Sequence, residues 1–439
     1  MDNLAEKVAS VLRRDIPRGA TIVVGLSGGI DSVVLLHVLR RRLRIAPARI
    51  SAIHVNHQIS PNAARWAAFC RRWCRELGVR LRVAKVEVPR GNSTEAAARA
   101  ARYAVFAASG ADVVVLGHNR DDQAETLLLQ LLRGAGPRGL AAMPVLRSGI
   151  AGLPSVLRPM LDVPRKTIAA YAQRHRLQWV EDESNQDGAY LRNFLRHQVM
   201  PVLEEKLPGC GATLARASRH QAEASDLLDT LAVQDIGDDC SRGCLPLARI
   251  RMLEPHRARN ALRYFLRCND IAMPDADRLQ ELLRQLIEAR NDARIRIDLG
   301  GAEMRRFQDS LYIVRPFVPP VGAFDVAWDG RGVLVLPQLG GTLSLVRCQG
   351  NGMAADVLSS ATLSVRPRKG GESLRPNPDG RRRTVRNLMQ EAAIPPWQRE
   401  RLPFIYLDGE LAAVPGLGVD ARFRAGPKTP GWMPKWLAD

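Results

Sequence analysis

Between two aliphatic runs, "TIVVGL" and "VVLLHVL", the chain places Ser27, Gly28, Gly29, Ile30, Asp31 and Ser32, a turn richer in small and polar side chains than a strand–helix connection requires. Gly28 and Gly29 let the backbone approach an anion with no side chain in the way, and both accept positive φ without strain. Ser27 and Ser32 add hydroxyl donors. The helix that follows aims its first N–H groups, and the positive end of its dipole, at the same point. The chemistry these residues suit is the holding of phosphate groups. Asp31 belongs there only if a divalent cation stands between its carboxylate and the phosphates, which implies magnesium. For two glycines alone, a plain turn with Asp or Ser as helix cap is the simpler account.

Further polar residues end the next strand-like runs. "AIHVNH" closes with His54, Asn56 and His57, and "VVVLGH" with Gly117 and His118. No local H-x3-H or C-x2-C supports a zinc site from His54, His57 and His118, and histidines satisfied at a sheet rim are the better reading. In "NRDDQAETLLLQLLRG", Asp121 and Asp122 open a helix, where the dipole favours negative charge. Glu125 follows Asp122 by three residues and shares its helical face, so two carboxylates converge. Such a pair suits an ammonium group or a metal ion, and function is favoured over capping.

Elements able to position these residues can be read from periodicity. The first 120 residues alternate strand-like and helix-like runs, which gives an α/β fold with a mostly parallel sheet and helices on both faces. Ligands of such sheets sit beyond the carboxyl ends of the strands, where the residues above fall. From "LEEKLPGCGA" onward helices follow one another, and "DADRLQELLRQLIEAR" puts Leu279, Leu282, Leu283, Leu286 and Ile287 on one face. A short β-like pair, "ARIRIDL" and "SLYIV", comes next. After the Pro-rich "VRPFVPPVGAF" the chain is β-rich, with an Asp-Gly hairpin in "FIYLDGELAAV". The expected domains are 1–208 (catalytic), 209–318 (mainly helical) and 319–439 (a connector and a small β-rich α+β domain, its core at 361–435).

Composition narrows the partners. A 439-residue chain with formal charge +19 repels itself unless a polyanion offsets it, and nucleic acid is the leading candidate over a merely basic solvated surface. Its 7 cysteines are scattered and odd in number, as in a reducing compartment. Cys70/Cys74 and Cys240/Cys244 are C-x3-C pairs, better read as small apolar side chains on a helix face than as a metal or redox site. No apolar run is long enough to span a bilayer, and "MDNLAEKVAS" lacks the order of a signal peptide, so a cytoplasmic location is expected.

The string S-G-G-x-D-S resembles the signature of the N-type ATP pyrophosphatases (PP-loop family; adenine nucleotide α-hydrolase-like fold), which split ATP between its α and β phosphates. The Walker pattern is absent. "SGGIDS", "HVNH", "EAAARAARY", "LGHNRDDQAET", "RGAGPRGLAAM" and "DESNQDGAYLRNFLRHQVMP" resemble, in order and spacing, the tRNA(Ile)-lysidine synthetase branch of that family. "VRPRKGGESLRP" and the segment from "GRRRTVRN" to "AAVPGLGV" resemble its last domain; the likeness is weakest from about 210 to 360. One departure is that Gln58-Ile59-Ser60 stands where the family usually has Gly-Leu-Arg, so a contact made by that arginine is not carried over.

The resemblance implies a ligase that uses ATP and Mg2+ to join L-lysine to the cytidine at the first anticodon position of the CAU-bearing tRNA(Ile), through an adenylated tRNA. By the same resemblance, Ser27 to Ser32 hold pyrophosphate and Asp31 the magnesium. His54, Asn56, Gly117 and His118 flank the adenosine. Asp122 and Glu125 receive lysine, with Arg99 or Arg102 nearby. Arg192, Asn193 and Arg196 reach RNA or the active site, and Arg381, Arg382, Arg383 and Arg386 meet tRNA phosphates at a helix start. A homodimer is compatible with this reading. Competing readings are a tRNA thiolase of the same fold, against which the lack of any C-x-x-C speaks, and a basic RNA-binding protein with an inert nucleotide site.

Overall fold

The computed structural model describes residues 3–88, 94–149, 153–181, 183, 191–237, 243–288, 295–317 and 324–438. Two compact units make up the chain, Met1–Leu228 and Asp229–Asp439. The boundary between them falls inside the helix Cys210–Ile236. No helix among the described residues is long and apolar enough to cross a membrane.

The first unit is built on a six-stranded sheet: β1 (Ile22–Gly25), β2 (Ile50–Asn56), β3 (Arg80–Lys85), β4 (Val113–Val115), β5 (Leu146–Arg147) and β6 (Ser155–Leu157), in the order β3-β2-β1-β4-β6-β5. All neighbours are parallel except β5 against β6. The central strands β1 and β4 are nearly continuous β-branched runs, because helices cover both of their faces. The helices α1 (Asn3–Asp15), α2 (Ile30–His37), α3 (Ala63–Leu77), α4 (Thr94–Ala107) and α5 (Arg120–Leu132) include the crossovers. On one face Val33, Leu36, Cys70, Cys74 and Leu77 pack into the main core, and on the other Phe106 joins Val23, Ile53 and Val114. Cys70 and Cys74 are thus the apolar helix pair expected. Cys240 lies outside the described residues.

The sequence-expected β pair of the middle segment is part of a four-stranded antiparallel sheet, ordered Cys244–Pro246, Ser310–Val314, Glu303–Phe307, Arg296–Asp298. Helices Pro255–Cys268 and Ala276–Glu288 bury their apolar faces in the same core as strand residues Met304 and Leu311. Leu279, Leu282, Leu283 and Leu286 point inward, whereas Ile287 is 41% exposed and not on the buried face as expected. The C-terminal segment holds a five-stranded and a four-stranded sheet, and the hairpin Phe404–Leu407/Glu410–Val414 turns through Asp408 and Gly409, both at positive φ. Replacing Leu282 by Ala should cost about 3 kcal/mol of unfolding free energy, and Ile287 by Ala under about 1, when chemical denaturation of the two variants is compared.

Candidate active site at the carboxyl edge of the parallel sheet

β1 ends at Gly25, and after four intervening residues α2 begins, so the loop of Ser27, Gly28 and Gly29 lies at the carboxyl edge of the sheet. Gly28 takes φ +94°, and a Cβ there would stand 2.6 Å from Val180 Cγ2. Only glycine fits. Gly29 is different: as the residue before α2 it has φ −71°, so the positive φ that glycine would allow is not used. No side chain caps α2, which leaves its first-turn N–H donors for a ligand. Within the loop, Gly28 N–H donates to Ser32 Oγ (3.2 Å) and Gly29 N–H to Ser27 Oγ (3.2 Å), while Ser32 Oγ donates to Gly29 O (2.9 Å). These are donors that phosphate oxygens can engage in turn.

Gly117, beyond β4, lets the two strand ends close on each other: a Cβ there would lie 3.0 Å from the Asp31 carbonyl carbon and 3.2 Å from Ser32 N. Two residues on, Asn119 joins three features. Its Nδ2 donates to Asp31 Oδ1 (3.0 Å), and its Oδ1 accepts from the N–H groups of Asp121 (2.9 Å) and Asp122 (3.2 Å). Asp122 Oδ2 accepts in return from Asn119 N–H (2.9 Å), completing a capping box at the start of α5. Asp121 turns away and accepts from Arg165 N–H (2.9 Å), which starts the helix Arg165–Arg174. The signal for Asn119 was in the sequence, an Asn followed by Asp at the third helical position, and the sequence reading passed over it.

Asp122 and Glu125 are 8% and 2% exposed and do converge. Both are met by arginines. Asp122 Oδ1 accepts from Arg192 Nη2 (3.0 Å) and Arg196 Nη2 (2.8 Å). Glu125 accepts from Arg192 Nε at Oε2 (3.0 Å) and from Arg196 Nε at Oε1 (2.6 Å). Arg192 and Arg196 were expected on an RNA-facing or active-site-facing helix; their immediate contacts are with these carboxylates. Burial opposes ionisation of Asp122, but Arg192, His118 and Arg196 outweigh it and hold the carboxyl below its usual value. Asn193, between them, has further interactions of its own.

Asp31 sits in a contrasting field. Burial, then the Asp122 charge, push its carboxyl up to about 6 against the opposing Asn119 bond. A carboxylate made costly in this way fits a cation. Magnesium needs only one or two carboxylates when phosphates and waters complete its shell. No cluster of three His, Cys, Asp or Glu side chains that could cage a metal occurs among the described residues. His54 Nδ1 is bonded to Leu26 O (2.9 Å), the rim role anticipated for it. Burial holds His57 and His118 neutral, each near a pKa of about 4, and the Nδ1 of both is buried without a hydrogen-bond partner. Asn56 Oδ1 accepts from Gln58 N–H (2.8 Å), and Gln58 has φ +56°, a conformation that glycine adopts without strain. The asparagine thus supports the backbone at this left-handed position.

Arg99 lies over the Tyr103 ring, 5.1 Å from its centroid, and Arg102 contributes to the field at His57. In the second unit Arg381, Arg382, Arg383 and Arg386 are exposed at or just before the helix Val385–Glu391, whose N-cap is Thr384. Arg383 Nη1 donates to Glu391 Oε2 (2.8 Å), so its charge is met within the domain. A cavity of about 300 Å³ beside it is lined by Asn377, Arg381, Arg383, Leu388, Glu391 and Leu417.

The glycine-shaped loop, the uncapped helix behind it and the carboxylates across the sheet edge define a PP-loop, ATP-using enzyme, and the PP-loop domain family matches residues 2–203. The TilS substrate binding domain matches residues 245–312 and the TilS substrate C-terminal domain residues 363–436. A tRNA(Ile)-lysidine synthase of Nitrosomonas europaea is 40% identical over 97% of this chain and 93% of its own. The proteins of that name in Chromobacterium violaceum (41%, covering 94% of each chain) and Azoarcus sp. strain BH72 (39%, covering 99% of this chain and 96% of the relative) are equally similar. The chain belongs to the tRNA(Ile)-lysidine synthase family, whose members are ligases.

Because the folded-state pKa of Asp31 is raised, its favourable contribution to stability is full below its ordinary value of 3.8 and is lost as pH rises through about 6. Asp31→Asn should therefore match the wild type near pH 4 in urea unfolding and exceed it by up to about 3 kcal/mol at pH 8 in the ligand-free protein. A gap that does not open between those pH values would remove the burial argument.

Proposed function

We propose that this protein joins L-lysine, at the expense of ATP, to the cytidine at the first anticodon position of the CAU-bearing tRNA(Ile). The observation that carries this reading is the pair Asp122 and Glu125, held at the mouth of the phosphate loop and tied to Asp31 through Asn119. A phosphate site alone suits many acceptors; a buried carboxylate pair beside it suits an amine.

Cytosine C2 is a poor electrophile until its carbonyl oxygen is adenylated. That oxygen attacks the α-phosphate of ATP and pyrophosphate leaves; the lysine ε-amine then attacks the ring carbon, and AMP leaves. Ser27 to Ser32 and the first N–H groups of α2 hold the phosphates, and the same donors oppose the charge that grows on the pentacoordinate phosphorus. Asp31 would hold the magnesium ion, which would supply positive charge against the phosphates. The strand ends carrying His54, Asn56, Gly117 and His118 flank the adenosine. Asp122 and Glu125 orient the lysine ammonium and take its proton, Asp122 being the candidate base with Glu125 the alternative.

The arginines give this step a condition. While Arg192 and Arg196 bond Asp122, the carboxylate is too weak a base to neutralise an amine, and its Oδ1 is already engaged by two guanidinium groups. RNA phosphates are the natural competitor for Arg192 and Arg196, so arrival of the tRNA frees the carboxylates for lysine. Arg381, Arg382 and Arg386 supply phosphate contacts that position the tRNA rather than read its bases. The thiolase reading loses further ground, because Cys70 and Cys74 are buried and their thiols are pushed up to about 12.

Incubated with ATP, magnesium, radiolabelled lysine and tRNA, the protein should label the CAU isoleucine tRNA and leave the elongator methionine tRNA unlabelled, with AMP released. Asp122→Ala should lower the rate at least about 100-fold. Pyrophosphate release with no label on any tRNA would mean that the acceptor is wrong. Separately, Arg381→Ala/Arg382→Ala should weaken tRNA binding while sparing ATP, and reduce the salt slope of log affinity by about one to two. An unchanged slope would reject the assignment.

A further inference from the structure

Three arginines crowd one tyrosine beside the carboxylate pair. Arg158 follows directly on β6, is 2% exposed, and donates from Nη1 to Pro144 O (2.8 Å) and from Nη2 to the Tyr103 hydroxyl (3.2 Å). Its Nε is buried without a hydrogen-bond partner. Arg99 and Arg147, both exposed, lie against the Tyr103 ring with their guanidinium carbons 5.1 Å and 4.6 Å from its centroid.

Among the described residues no carboxylate pairs with any of the three. A buried guanidinium is ordinarily paired with an anion. Around Arg158 the partners are a neutral phenol and a carbonyl, and the nearest charges, Arg147 and Arg99, repel it. Stacking on an aromatic face occupies the flat side of a guanidinium and leaves its N–H edge able to form paired bonds to an oxyanion. The position is also informative. His118 feels the charges of Arg158 and Arg99 together with those of Asp122 and Arg192, so the cluster adjoins the site.

We infer that Arg99, Arg147 and Arg158, gathered around Tyr103, form an oxyanion subsite of the active centre. Resting on the lysine-transfer reading, the anion has two sources: the α-carboxylate of lysine, whose other end goes to Asp122 and Glu125, or a phosphodiester of the anticodon loop. In the first case the subsite fixes which amine of lysine faces the cytosine. In the second it fixes the loop.

Arg147 is exposed, lies outside the capping and phosphate-loop bonds, and is the residue to change. In the full-length protein, Arg147→Ala and Arg147→Lys would be compared with wild type by equilibrium dialysis of lysine and of cadaverine, which lacks the carboxylate, and by tRNA affinity over a salt series. If the source is lysine, Arg147→Ala should weaken lysine about tenfold and leave cadaverine unchanged. If it is the phosphodiester, tRNA affinity should fall about tenfold and its salt slope by about one, with both amines unaffected. Arg147→Lys should recover part of either loss through charge alone. Unchanged affinities in Arg147→Ala, with or without a lower melting temperature, would overturn the proposal and leave Arg147 as packing for Tyr103. Lysine transfer by the wild type, measured alongside, reads the parent proposal separately.

Discussion

The hydrogen bond from Asn119 to Asp31 is the constraint on which the site depends. It crosses from the loop after β4 to the first turn of α2, and so locks together two helix N-termini that rise from neighbouring parallel strands. Gly117 favours this crossing, because a Cβ there would press to within 3.0 Å of the Asp31 backbone. The same asparagine starts α5 and sets where Asp122 stands. The glycine-rich loop, Asp31 and the Asp122–Glu125 pair are therefore not three independent placements. They form one rigid set, fixed by sheet register and one amide side chain.

Charge is distributed across this set so that neighbouring groups oppose each other. Asp31 is made costly to ionise by burial and by Asp122, whereas Asp122 is eased by Arg192, His118 and Arg196. Two carboxylates of similar burial thus have opposite tendencies, which is the condition for giving them different tasks. Asp31 has an unmet need for positive charge. Asp122 has its need met by side chains that a polyanion can draw away. The instability stored at Asp31 is of the kind that a substrate-loaded site relieves, at the expense of the free protein.

Much of this was legible in the sequence because short-range chemistry required it. Gly28, Asp31, Asp122 and Glu125 sit where an α/β sheet presents its ligands, and periodicity places the strands that carry them. What could not be read was partnership across long separations. Arg192 and Arg196 are 70 and 74 residues from Asp122, and Arg158 is 55 from Tyr103. No local pattern announces such pairs. The extra strands of the middle sheet were hidden for another reason: Cys244–Pro246 is 3 residues long, and Glu303–Phe307 alternates charge with only Met304 and Arg306 buried, which does not resemble an apolar strand. At Ile287 the helical stripe was drawn too wide: its neighbour Leu286 is fully buried in the core, and Ile287 falls on the exposed side of the same turn.

Gln58 shows how such a site tolerates change. A non-glycine residue at φ +56° carries strain, yet the loop keeps its course because Asn56 accepts the Gln58 N–H and the Gln58 amide reaches Val86 O (3.3 Å). The backbone is held there by side-chain bonds that offset the cost of the left-handed conformation. Asn56 is in consequence occupied by its own chain, holding the rim at the end of β2 in place. That loop brings no charge of its own, since Gln58, Ile59 and Ser60 are uncharged. Positive charge near the site is carried by Arg99 on α4, Arg147 on β5 and Arg158 directly after β6, gathered around Tyr103.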